Sequence, residues 1–161
     1  MVKKFQFWKN KFFFGSTSAI ITNLALIAGL DSSLNAKINI IASILMIAIA
    51  DNISDSLGIH IYQEAEGLNK KEVWTSSLSN FLARFFLSII FIIIVILLPL
   101  NIAVIGSIIF GLSIIAIISY EISIHKGENP YKATANHLII AAVVIFISSY
   151  LGDWISQRFN Y

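Results

Sequence analysis

In "INIIASILMIAIADNISDSLGIH", residues 38–60, an apolar run with the makings of a membrane span gives way to Asp51, Asn52, Ser54 and Asp55. At 100° per residue, Asp51, Asp55, Gly58 and Tyr62 fall on one helical stripe, with Ser54 at its flank and His60 pointing the other way. Two carboxylates one turn apart can bind one cation jointly or share one proton, because adjacent carboxylates resist double ionisation. Oxygen donors of this kind suit hard or borderline divalent cations such as Mn²⁺ or Fe²⁺. The chain has no cysteine and no evident histidine pair, so a Zn²⁺ or Cu⁺ site is not expected. Tyr62, Glu64 and Glu66 continue the helix toward what would be a cytoplasmic entrance. The competing possibility is structural: Asp51 and Asp55 hydrogen-bond serines and asparagines of neighbouring helices.

The elements that must hold these groups are long apolar helices. Hydrophobic residues make up 57% of the 161 and charged ones only 12%, with a mean hydropathy of +0.82. Apolar blocks of about 20 residues match the thickness of a hydrocarbon core. The expected fold class is an all-α integral membrane protein, a single domain over residues 1–161 with spans near 12–30, 38–62, 81–98, 102–124 and 134–152. Pro99 and Asn101 divide the apolar stretch from 85 to 118, so "LPLN" is expected to be a tight hairpin. "MVKKFQFWKNK" is basic and precedes an apolar run, but no small-residue cleavage pattern follows, so the first block is expected to be a retained helix. The alternation of Lys with Phe and Trp in "VKKFQFWKNKF" suits a segment lying at the headgroups, or an orientation signal alone. With the N-terminus cytoplasmic, Lys3, Lys4, Lys9, Lys11, Lys70, Lys71, Lys126 and Lys132 lie inside, against Lys37 and Arg158 outside. That asymmetry puts the C-terminus outside in a multi-pass protein of the cell membrane.

The first helix offers a surface for the acids. Gly15, Ser18, Thr22, Ala25 and Gly29 form a stripe of small or hydroxylated residues, the kind that lets helices or protomers approach closely. Ser18 and Thr22 lie roughly 9–15 Å along this helix, and Asp55 and Asp51 about 5–10 Å back from Gly58, so the polar faces overlap in depth. Gly58 joins the close-packing positions. Arg84 and Glu121, at the inner ends of the third and fourth spans, are expected to form a structural ion pair. Asn136 and His137 read as cap or headgroup contacts, His125 as solvated and Asp153 as interfacial, while Gly106 and Gly111 read as packing positions. No phosphate-binding glycine loop, H-E-x-x-H motif or Ser-His-Asp set occurs, and no basic folded surface suits nucleic acid. An enzyme is not expected, nor a cofactor.

"FGSTSAIITNLALIAGL", residues 14–30, resembles the first helix of the vacuolar iron transporter family, F-G-x-x-D-G-x-x-T followed by A-x-x-x-G, through Phe14, Gly15, Thr22 and Gly29. "ADNISDSLGIHIYQEAEG" resembles the second-helix pattern A-x-x-x-S-M-x-x-G-E-Y through Ala50, Ser54 and Gly58. Ser18 stands where that family has Asp, Asp55 where it has Met, and Ile59-His60 where it has Glu-Tyr. The glutamate-rich cytoplasmic domain of full-length members is replaced by the short "YQEAEGLNKKEVWTSS". The resemblance implies a five-helix homodimer that moves Fe²⁺ or Mn²⁺ out of the cytoplasm in exchange for protons, along a pathway lined by the first two helices. Asp55 would then take over from the absent first-helix Asp. The alternative is a non-transporting membrane module that uses its polar stripe to dimerise or dock a partner.

Overall fold

The computed structural model of the chain describes the backbone of residues 2–159 and the side chains of residues 15–159. Over these residues the protein is all-helical, with five helices: α1 (Val2–Leu30), α2 (Ala36–Ala65), α3 (Lys70–Leu97), α4 (Leu100–Lys126) and α5 (Pro130–Phe159). α2 to α5 are each long and apolar enough to cross a membrane, and Gly15–Leu30 of α1 is a shorter apolar stretch. The chain therefore has the make-up of a multi-pass membrane protein. The side chains of the expected headgroup segment lie outside the described ones.

The helices outrun the expected spans because their ends are set by capping, not by apolarity. Asn69, in extended conformation, accepts a hydrogen bond from Lys71 N–H, and Glu72 follows in the first turn of α3. Thus α3 begins at Lys70, where the sequence suggested a loop up to residue 80. The Asn129 side chain accepts from the N–H groups of Tyr131 and Lys132, with Pro130 at the first position of α5. Gly127, at φ 73°, closes α4 in the left-handed conformation that costs glycine no Cβ clash. Leu98 is extended before Pro99, so the expected hairpin is present between α3 and α4. Lys37 reinforces it, its Nζ donating to the Ile96 and Leu98 carbonyls at 3.0 Å.

α1 runs through the middle of the bundle. It packs most extensively on α3 and α5 and also meets α4, while α2 lies along α3 and α4 along α5. The buried core, with Ile20, Leu24 and Ile27 of α1, Ile40 and Ile44 of α2 and Phe91 and Val95 of α3, fills the half nearest the α1–α2 and α3–α4 turns. The small residues of α1 serve two different neighbours. A Cβ on Gly15 would lie 2.5 Å from Asn80 Oδ1 of α3, and one on Gly29 would lie 3.2 Å from the Ser148 carbonyl of α5. Facing Gly29, a Cβ on Gly152 would overlap the Gly29 backbone. The expectation that this stripe packs against α2 is corrected: its glycines open the way to α3 and α5. Ala25 is half-buried on the same helix. Gly58 is also corrected as a packing position within the chain, since a Cβ there would meet nothing within 4 Å.

Candidate functional site

Midway along α2, residues Ile47–Asp51 form a π-helical turn. Such a turn holds about one residue more than an α-turn, so everything after it is displaced around the helix axis. Asn52 thereby falls in line with the buried Ile40, Ile44 and Ala48 and faces α3, while Asp51 moves to the edge of that face. The Asn52 Nδ2 donates back to the Ala48 carbonyl at 2.9 Å, which aims its oxygen at the neighbouring helix.

That oxygen meets Arg84 of α3, whose side chain is 1% exposed. Arg84 Nε donates to Asn52 Oδ1 at 2.7 Å, Nη1 to Ser18 Oγ at 2.7 Å and Nη2 to Asp51 Oδ2 at 2.5 Å. Nη1 also pairs with Asp55 Oδ2. One guanidinium thus gathers four oxygens from α1 and α2. Its fixed fork of five donors can do this where a lysine ammonium could not. The Asp51 and Asp55 side chains remain 44% and 43% exposed on the outer side of α2. Two acids thus stand against one base within helices of membrane-spanning length.

The ion pair expected between Arg84 and Glu121 is therefore corrected: Arg84 is held by Asp51 and Asp55. Glu121 stands on α4 beside an open groove of about 600 Å³ shared with Tyr120, His125 and Thr134. The Ser18–Asp51–Asp55 grouping expected from depth does occur, but Arg84 makes the connection and no direct α1–α2 contact is needed. Ser54 is exposed, away from the guanidinium, and Thr22 is half-buried one turn beyond Ser18 and makes none of Arg84's hydrogen bonds. Tyr62, Glu64 and Glu66 are exposed near the α2–α3 turn. Among the described residues, no three His, Asp or Glu side chains come together as a metal-holding group.

Polar pairs continue along the α2–α3 seam toward its turn. Asn80 Nδ2 donates to Ser56 Oγ at 3.3 Å, Ser77 Oγ lies 3.4 Å from His60 Nδ1, and Gln63 Nε2 donates to Ser76 Oγ at 2.9 Å. His60 also meets the edge of Trp74. On the other side of Arg84, Asn23 Nδ2 donates to the Ala19 carbonyl at 2.8 Å and to Ser88 Oγ at 3.0 Å. Asn23, Asn52 and Asn80 are fully buried, and of the three only Asn52 stands out in the sequence, without a role of its own. The signal for Asn80 was present: Asn80, Arg84 and Ser88 recur every fourth residue, a polar stripe that runs into the apolar half of α3.

At the opposite end of the bundle, Asp31 sits in the turn between α1 and α2. Burial, with the Asp153 carboxylate second, pushes its carboxyl above the usual value. Ser156 Oγ donates to the Ser32 carbonyl at 2.9 Å and ties α5 to the same turn. Neither a family model nor a curated protein matches the chain.

Proposed function

We propose that the chain is a membrane transporter for divalent cations, Fe²⁺ or Mn²⁺, that exports them from the cytoplasm against protons, as the resemblance to vacuolar iron transporters implies. The observation that carries this is the Asp51–Asp55–Arg84 cluster. A guanidinium buried between two half-exposed carboxylates acts as an internal counter-ion, holding the acids ready while no cation is bound. A divalent cation offers the carboxylates a stronger partner of the type they prefer, and protonation weakens their hold on either charge. Cation, guanidinium and proton then compete for the same oxygens, which is the basis of exchange. A second copy of the chain is the proposed cover for the outward oxygens of Asp51 and Asp55, since acids at membrane depth face a protein interior or a watery cavity rather than lipid.

Purified protein in liposomes should carry Mn²⁺ or Fe²⁺ under a pH gradient. Asp51→Asn and Asp55→Asn should each abolish flux while the protein remains monodisperse. Unchanged flux in both variants would remove these residues from the pathway.

One observation favours a non-transporting module instead: Arg84 already pairs with both acids, and each of its three nitrogens is engaged within the bundle. Such a module would show no cation flux and would dimerise or dock a partner through the outer face of α2. Gly58 is the position to enlarge in that case, because the chain itself has room there. Loss of the dimer in Gly58→Leu without any cation flux in the parent protein would favour the module.

A further inference from the structure

α3 carries Ser76, Asn80, Arg84 and Ser88 on four successive turns, all buried. At 1.5 Å per residue they span about 18 Å, from near the α2–α3 turn to one turn past the acidic cluster. Three of these levels repeat one motif, a side-chain amide paired with a serine across the helix seam: Gln63 with Ser76, Asn80 with Ser56 and Asn23 with Ser88. In each pair the amide nitrogen donates and the amide oxygen has no hydrogen-bond partner in the protein. Gln63, Asn80 and Asn23 are 6%, 1% and 0% exposed, and theirs are the partnerless buried amide oxygens among the described residues. For Asn80 and Gln63, turning the amide over would only exchange which end is left over, since a serine hydroxyl both donates and accepts. Asn23 has no such freedom, because its nitrogen also serves the Ala19 carbonyl.

Buried polar atoms left without a protein partner are normally satisfied by ordered water. Three such oxygens flank the buried guanidinium along α3, those of Gln63 and Asn80 on the side of the α2–α3 turn and that of Asn23 one turn beyond it. Beyond Ser88 the column ends: Phe91, Ile92 and Val95 of α3 close against Ile27, Ile40 and Ile44. The other side of Asp51 and Asp55 is exposed on the outer face of α2.

We propose that this column is a hydrated path that carries protons from the α2–α3 turn to the Asp51–Asp55–Arg84 cluster, stopped on the far side by the Phe91 plug. It rests on the reading of that cluster as the site where protons and cations exchange. A proton enters at Gln63, passes between waters held by the amide oxygens, and ends on a carboxylate oxygen of Asp51 or Asp55. The only bonds made and broken are O–H bonds, and the neutralised acid loosens its hold on Arg84. Other charged groups stand at the mouth: Glu64, Glu66, Lys70, Lys71 and Glu72, with His60 facing Ser77 between the mouth and Asn80. α1 brings no titratable side chain over residues 15–30.

The chain is free of cysteine, so single cysteines can report on water without background. Ser76→Cys, Ser56→Cys, Ser88→Cys and, in the plug, Ile92→Cys would be reconstituted in lipid vesicles and exposed to silver ions, a probe close to water in size. Remaining thiols would then be counted by alkylation after denaturation. The three serine positions should be blocked quickly, and Ile92→Cys about tenfold more slowly or less, because a charged probe must leave water to enter a dry apolar interior. Placing Asn80→Leu behind the entrance should slow blocking at Ser88→Cys and leave Ser76→Cys unchanged. If Ser56→Cys and Ser88→Cys react as slowly as Ile92→Cys, the column is dry and the proposal fails. Silver access does not depend on transport, so fast blocking without cation flux would overturn the transporter and leave the hydrated column standing.

Discussion

Replacing Arg84 by methionine should be among the most damaging single changes in the protein, and neutralising the acids alongside it should repair the damage. The Arg84 side chain is 1% exposed and satisfies two carboxylates, the Asn52 amide and the Ser18 hydroxyl. Arg84→Met strips the counter-ion from both acids and removes two hydrogen bonds. Two carboxylates left without their counter-ion, each more than two-fifths exposed, and two lost hydrogen bonds together cost about 2–4 kcal/mol. Asp51→Asn alone leaves Arg84 paired with Asp55, and at 44% exposure the lost pair is worth only about 1 kcal/mol or less. Asp55→Asn should behave alike. The double Asp51→Asn, Asp55→Asn variant leaves the guanidinium buried without an anion, so its cost should exceed the sum of the singles by about 1–3 kcal/mol. The triple variant, with Arg84→Met added, has no charge left to compensate and should regain most of the loss. Equilibrium unfolding in mixed micelles, followed by tryptophan fluorescence, measures all five. The reasoning fails if Arg84→Met lies within about 1 kcal/mol of the parent, or if the triple variant is no more stable than Arg84→Met.

Two further outcomes follow from packing and from charge. Gly152→Ala should destabilise by about 1–3 kcal/mol, because the new Cβ overlaps the Gly29 backbone and pushes α5 off α1. Gly58→Ala, with open space around it, should stabilise by about 0.5–1 kcal/mol through helix propensity; equal effects in a micelle unfolding series would refute the close approach. The raised Asp31 carboxyl binds its proton more tightly in the folded chain than in the unfolded one. Its contribution is therefore lost as pH rises from the ordinary carboxylate value through the raised one, and the penalty stays constant above. Asp31→Asn should raise Tm at neutral pH and leave it unchanged in strong acid, whereas a Tm change independent of pH would contradict this.

The site was nearly legible in the sequence. Asp51 lies 15 residues before Glu66 and Arg84 lies 15 after Asn69, so a helical hairpin turning at Glu66–Asn69 sets them level. That symmetry is hidden when the third helix is started at residue 81, and Arg84 then looks like a group at a helix end, free to pair with Glu121. The Asn69 cap, which needs only one side-chain oxygen and an extended residue, moves the helix start and with it the level of Arg84. Which face of α2 turns inward was harder to see. A uniform 100° step puts Asp51 and Asp55 on the working stripe, but the π-turn at Ile47–Asp51 gives that place to Asn52.

By itself the sequence determined the class of the molecule: apolar blocks of membrane length, a hairpin at Pro99, and acids placed where a spanning helix should have none. These follow from composition and local stereochemistry, which each segment carries wherever it is placed. The tertiary structure decided which charges meet. A buried guanidinium takes the anions that reach its level and its side of the helix. Both depend on where a cap begins one helix and where an extra residue turns another, quantities summed over many residues and settled only when the helices pack.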